Sequence, residues 1–181
     1  MEQEILQSLK ILEKGGIILY PTDTIWGIGC DATNDSAIRQ IFRIKKRHES
    51  KALITLVSDK EMLKKITGYI PNVDLISSPT TVIYSNANGL AKNLLAKDKS
   101  AGIRIVNDEF CKKLITRFGK AIVSTSANIS GDNSPQKFLD ISESITKYAD
   151  YIVNLRKDEI MKKPSQILKI DLNGNLVKIR S

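Results

Sequence analysis

The chain has 181 residues, 41% of them hydrophobic, which suits one domain over 1–181 with a core that needs no disulfide or structural metal. A formal net charge of +8 implies polyanionic company, whether nucleotide, nucleic acid or an acidic surface. Cys30 and Cys111 stand far apart outside any CxxC and His48 is the only histidine, so neither a disulfide framework nor a multi-His metal site is suggested, while the absence of any run of about 20 apolar residues argues against a membrane span.

The first residues, Met1-Glu-Gln-Glu-Ile5, are acidic and lack the basic, then apolar, plan of a signal peptide, so a cytosolic protein is expected. Ile5, Leu6, Leu9 and Leu12 recur at helical spacing over 3–14, and Gly15-Gly16 ends that helix. Ile17–Tyr20 reads as a buried strand stopped by Pro21. Beyond it, Thr22, Asp23 and Thr24 place hydroxyls and a carboxylate either at a cleft edge or in an ordinary Asx-type turn. Gly27-x-Gly29-x-x-Ala32 imitates a dinucleotide fingerprint. Pro21–Trp26 separate it from the strand, however, and the next helix cap follows the glycines, so a nicotinamide dehydrogenase is a distant reading.

Asn34 or Asp35 caps a helix through about Lys46. Lys45, Lys46, Arg47 and Lys51 then put four cations in seven residues, arranged to favour a helix macrodipole or to clamp phosphates. Ala52–Val57 reads as a strand, and Ser58–Glu61 as a capping box opening another helix. Strands are expected at Thr80–Tyr84, Gly102–Val106 and Ala121–Ser124, with a helix over Asp108–Phe118. Ser124, Ser126 and Asn128 alternate, so an extended backbone points them one way, toward phosphate or ribose oxygens or within a Ser-rich turn. A short helix over Ser142–Tyr148 precedes strands at Tyr151–Asn154, Gln166–Asp171 and Leu176–Arg180, with Asn173-Gly174 as the turn between the last two. The sum is an α/β fold with a mixed sheet. No GxxxxGK[ST] occurs, so a bound nucleotide is not held by a P-loop.

Gly15–Thr24 with Gly27-x-Gly29, Lys45-x-Arg47, Ser126-x-Asn128 and Lys163-Pro-Ser165 occur in the order and spacing of the YrdC-like threonylcarbamoyl-AMP synthases, a family the chain resembles over almost its whole length. The resemblance implies a twisted mixed parallel and antiparallel sheet with flanking helices and a basic concave cleft. It implies a nucleotidyltransferase that makes threonylcarbamoyl-AMP from L-threonine, bicarbonate and ATP. The product would go to tRNA threonylcarbamoyl transferase proteins, and tRNA or double-stranded RNA would meet the basic cleft. Mg²⁺ would be bound mainly through ATP, and no protein metal ligand is assigned. Position by position, Lys45, Arg47, Ser126 and Asn128 match the catalytic tetrad, with Arg47, Ser126 and Asn128 also contacting the nucleotide. Thr24, Arg104, Ser124 and Ser165 match threonine-binding positions, and Lys51, Ser134 and Arg180 further nucleotide contacts. The family's Trp-Pro-Gly-Pro-x-Thr segment is replaced by Ile76-Ser-Ser-Pro79-Thr80-Thr81, and 181 residues match the short bacterial form. Two other readings stand beside it: a non-catalytic RNA- or ribosome-binding factor, and a carbamoyl-adenylate-forming enzyme lacking the extra segments of hydrogenase-maturation proteins.

Overall fold

A computed structural model describes residues 1–47, 53–161, 163–171 and 175–180. Lys51, His48 and the Asn173-Gly174 turn lie outside the described residues. One mixed sheet is made of β1 (Ile18–Tyr20), β2 (Gly27–Gly29), β3 (Ile54–Val57), β4 (Thr80–Tyr84), β5 (Ala101–Ile105), β6 (Ile122–Ser126), β7 (Tyr151–Ile152), β8 (Gln166–Ile170) and β9 (Leu176–Arg180). Their spatial order is β7-β1-β2-β6-β3-β5-β4-β8-β9. The pairs β1–β7, β3–β5 and β4–β8 run parallel, and the other neighbours run antiparallel. The expected α/β architecture is present, with α1 (Glu2–Glu13), α2 (Asp35–Ile44), α3 (Lys60–Thr67), α4 (Glu109–Phe118) and α5 (Glu143–Thr146) around the sheet. No helix among the described residues is long and apolar enough to cross a membrane.

Side-chain caps start every helix after the first. Asn34 accepts from the backbone N–H of Ser36 and Ala37, Asp108 from Cys111, and Ser142 from Ser144. At α3 the cap is Asp59, accepting from Met62, and not Ser58 as the sequence pattern suggests. Ser58 Oγ donates to Asp59 Oδ2 instead, and the carboxylate is the stronger acceptor for an orphan N–H.

Strand alternation sorts the core into two layers. Ile18 and Tyr20 of β1, Leu56 of β3 and Ile122 of β6 pack with Ile5, Leu12, Phe110 and Leu114, under α1 and α4. Leu19, Val57 and Val123, one residue out of phase, face the other layer with Trp26, Ile38, Ile41 and Leu63 from the α2 and α3 side.

The stretch expected to be a polar loop contains β2. Its register sets Gly29 opposite Ile18 on one side and Gly27 opposite Ser126 on the other. A Cβ built at Gly29 would sit 2.0 Å from the backbone oxygen of Val123, and one at Gly27 2.8 Å from Ser124 Oγ. The glycines therefore let β2 lie close against β6, and they form no nucleotide-binding turn.

Candidate active site

The same alternation that builds the α1/α4 layer also builds a cleft. Arg104 shares a sheet face with Val106, Ser124 with Ile122, and Ile54 with Leu56, all on the side of α1 and α4. The two helices leave this part of the face bare. The cleft above it, about 210 Å³, is lined by Thr22, Thr24, Gly27, Arg47, Ile54, Arg104, Ser124, Ser126, Ser134, Ser165 and Arg180, among others. A second depression, about 510 Å³, shares Thr24 and Pro164 with it and adds Asp23, Arg156, Glu159 and Lys163.

Arg104 lies at the centre of the polar network. Its side chain is only 3% exposed, and Nη2 lies 3.2 Å from Asp23 Oδ1. Nη1 donates to Thr24 Oγ1 at 3.1 Å, while Nε is buried with no hydrogen-bond partner. Thr22 Oγ1 donates to the Ile25 carbonyl at 2.8 Å, so the 2.9 Å contact between the two threonine hydroxyls is a donation from Thr24. That fixes the Thr24 lone pairs toward Arg104. Across the cleft, Arg180 Nη2 donates to the Ser165 carbonyl and Ser165 Oγ meets Thr81 Oγ1, both at 2.7 Å. Burial, and then the charge of Arg104, push the Arg180 guanidinium below its ordinary pKa, and burial does the same to Arg47. Such destabilised cations favour an arriving anion.

The Lys45-x-Arg47 element owes its geometry to the end of α2. The Arg47 N–H bonds to the Phe42 carbonyl and that of Lys46 to Arg43, a Schellman closure with Lys46 at the left-handed position, φ 48°. This site ordinarily takes glycine, and the strain turns the chain so that its neighbours part company. Arg47 enters the cleft lining, whereas Lys45 turns into the protein and is 1% exposed. Lys45 Nζ donates to the backbone carbonyls of Ser126 (2.5 Å) and Asn128 (2.7 Å), and the Lys45 carbonyl accepts from Ser130 N–H at 2.9 Å. The lysine thus fastens the Ser126-x-Asn128 segment to α2. Asn128 Nδ2 donates to the carbonyls of Ile129 and Asp132, leaving Oδ1 buried and unpartnered.

Desolvation, and then the charge on Arg47, bring Lys45 down to about 8 from an ordinary 10.5. Between those values the unfolded chain binds the extra proton, so raising pH favours the fold. The stability of the wild type relative to Lys45→Met should climb from about pH 8 upward by up to about 1.4 kcal/mol per unit, because the neutral amine still has two N–H groups for two carbonyls. Urea unfolding of both proteins across that range tests it, and a flat or falling difference refutes it.

Of the residues singled out in the sequence, the cleft gathers Thr24, Arg47, Arg104, Ser124, Ser126, Ser134, Ser165 and Arg180. It does not gather Lys45 and Asn128, which lie behind its wall, and Lys51 lies outside the described residues. Sequence reasoning named no role for Thr81, Ile54 or Ile167. The β-period of their strands was the available signal, since it aligns Ile54 with Leu56 on the cleft face.

The profile of the Sua5/YciO/YrdC family, described as "Telomere recombination", matches residues 10–181. A protein of Pseudoalteromonas translucida named threonylcarbamoyl-AMP synthase is 31% identical over 161 residues, covering 84% of this chain and 86% of that one. Among solved structures, E. coli YciO superposes with a TM-score of 0.86 at 23% identity, over 100% of this chain and 90% of that one. P. abyssi Sua5, solved in complex with L-threonine, superposes with a TM-score of 0.84 at 21% identity over 99% of this chain. This chain spans about half of that protein, 54%.

Proposed function

The chain belongs to the Sua5/YciO/YrdC family, and from that premise we propose that it is a threonylcarbamoyl-AMP synthase acting on L-threonine, bicarbonate and ATP. The observation that carries this reading is the buried Arg104 guanidinium on the floor of a hydroxyl-lined cleft whose other lining cations are Arg47 and Arg180. A binding site for a small carboxylate beside a polyphosphate needs that combination.

In the proposed reaction the threonine amine forms a C–N bond with the carbon of bicarbonate, and water leaves. An oxygen of the resulting carbamate then attacks the α-phosphorus of ATP, the bond to the β-phosphate oxygen breaks, and pyrophosphate departs. Arg104 and Thr24, with Ser124 and Ser165, hold the amino acid. Arg47, Ser126, Ser134 and Arg180 hold the nucleotide, with Asn128 as the tetrad's further nucleotide contact and Lys51 as another. Arg47 sits where negative charge grows during adenylyl transfer, and Lys45 contributes to the site by fixing the Ser126 and Asn128 carbonyls. Magnesium, when bound, offsets charge on the triphosphate. The described residues contain no group of three or more His, Cys, Asp or Glu side chains able to hold a metal, a donor set that fits an ion carried in on ATP oxygens. The net charge of +8 suits tRNA or double-stranded RNA as a further partner of the basic cleft, and transferases acting on tRNA as recipients of the product.

Purified protein with Mg-ATP and bicarbonate should release pyrophosphate only when L-threonine is added, with threonylcarbamoyl-AMP formed in equal amount. No release with or without threonine, from folded protein, sinks the reading and favours the basic face as an RNA-binding surface.

A further inference from the structure

The cleft and the adjoining depression together hold two carboxylates, Asp23 and Glu159. Glu159 is engaged by Arg156, with Oε2 accepting from Nε at 2.6 Å and Oε1 from Nη2 at 2.8 Å. Asp23 is different. Its side chain is 9% exposed, and Oδ2 accepts from the backbone N–H of Asn107 at 3.2 Å. Oδ1 is buried 3.2 Å from Arg104 Nη2 but has no hydrogen-bond partner. An ionised oxygen withdrawn from water without a donor is costly, and native structures rarely leave one without a reason. On the guanidinium beside it, Nε is likewise buried and unpartnered. An unused acceptor and an unused donor thus sit on the two members of one ion pair, at the boundary that Thr24 marks between cleft and depression.

That arrangement is complementary to a zwitterion. An α-amino acid carries its carboxylate and ammonium on one carbon, within about 3 Å of each other, the length of a hydrogen bond. We infer that Asp23 Oδ1 receives the α-ammonium group of the substrate whose carboxylate Arg104 takes, so that the pair reads an L-α-amino acid and rejects a plain carboxylate. The inference rests on the proposed threonine site and adds to it the residue that senses the amine. The amine is the atom that must react, and an acceptor at Asp23 orients its nitrogen while Arg104 holds the other end. A carboxylate lacking the amine leaves Asp23 as unsatisfied as before, which is the condition under which polar sites discriminate most strongly.

The test is calorimetric titration of the intact chain, in the presence of ATP, with L-threonine and with its des-amino analogue 3-hydroxybutanoate. The wild type should bind threonine, and the analogue should bind more weakly. In Asp23→Asn, threonine affinity should fall about 10- to 100-fold, the worth of one hydrogen bond to a charged group. Affinity for the analogue should hold or improve, since the remaining site is more positive. Urea midpoints and ATP affinity close to wild type show that the variant is folded. Equal losses for both ligands overturn the inference, because they make Asp23 a support for Arg104 alone. Unchanged threonine affinity in Asp23→Asn also overturns it. If the wild type does not bind threonine at all, the proposed function fails, an outcome separate from either of these.

Discussion

Replacing Gly29 with alanine should cost the fold about 3 kcal/mol or more, the upper range for forcing atoms into a packed interior. The added Cβ would lie 2.0 Å from the Val123 backbone oxygen, with Tyr20 Cε1 and Oη at 3.0 and 3.1 Å behind it. Nothing flexible is available to move. The Val123 N–H is bonded to the Cys30 carbonyl at 2.8 Å and its oxygen accepts from Tyr20 Oη at 3.2 Å, so relief requires β2 and β6 to separate. Because Ser124 and Ser126 ride on β6, the separation would also open the cleft floor. Urea denaturation is the measurement, with Gly102→Ala as the control, since a Cβ there meets only Thr81 Cγ2 at 3.3 Å. A Gly29→Ala midpoint equal to the control's would show that the close approach is not a constraint.

Arg47→Ala should have the opposite profile: a normal fold and a loss of threonine-dependent pyrophosphate release on the order of 10²–10³-fold, the effect of removing one preorganised charge-stabilising donor. Its backbone N–H, which closes the Schellman turn with Phe42, is kept by alanine, so α2 still ends where it should. The missing group is a partly desolvated guanidinium in the cleft lining. Its removal also relieves the charge that depresses Lys45, a secondary change visible in the pH dependence of stability. Turnover near wild type in folded Arg47→Ala would remove Arg47 from the chemistry.

Much of this arrangement was readable from residue patterns, and the exceptions share a cause. Helices such as α4 carry their own boundaries, with Asp108 as the cap and Phe110, Leu114 and Ile115 at helical spacing, so local information suffices. The long central strands are marked by β-branched runs such as Thr80–Tyr84. β2 is only Gly-Ile-Gly, with no side-chain pattern to alternate, and it is a strand because β1 and β6 close on it from both sides. Lys45 and Arg47 show the same limit at the level of the site. Two cations a single residue apart look equivalent in sequence, and only the left-handed turn at Lys46 sends one into the cleft and the other behind it. Asp23 belongs with them. Its significance lies in Arg104, a residue on β5 that no local spacing ties to the loop after β1.

The pairing of β4 with β8 has a consequence in time. Thr80 and Gln166, partners in that ladder, are 86 positions apart. At ribosomal speeds of about 5–20 residues per second, β4 waits roughly 4–17 s before its second neighbour is made. During that interval Thr-Thr-Val-Ile-Tyr, uncharged and rich in β-branched residues, presents an open edge beside β5. It is the sort of edge that another nascent chain can join. The late strand that covers it is also the one that brings Ile167 to the cleft and is followed by Arg180, so protection from aggregation and completion of the binding surface arrive together. A cell making this protein quickly therefore depends on chaperones to shield β4 for those seconds.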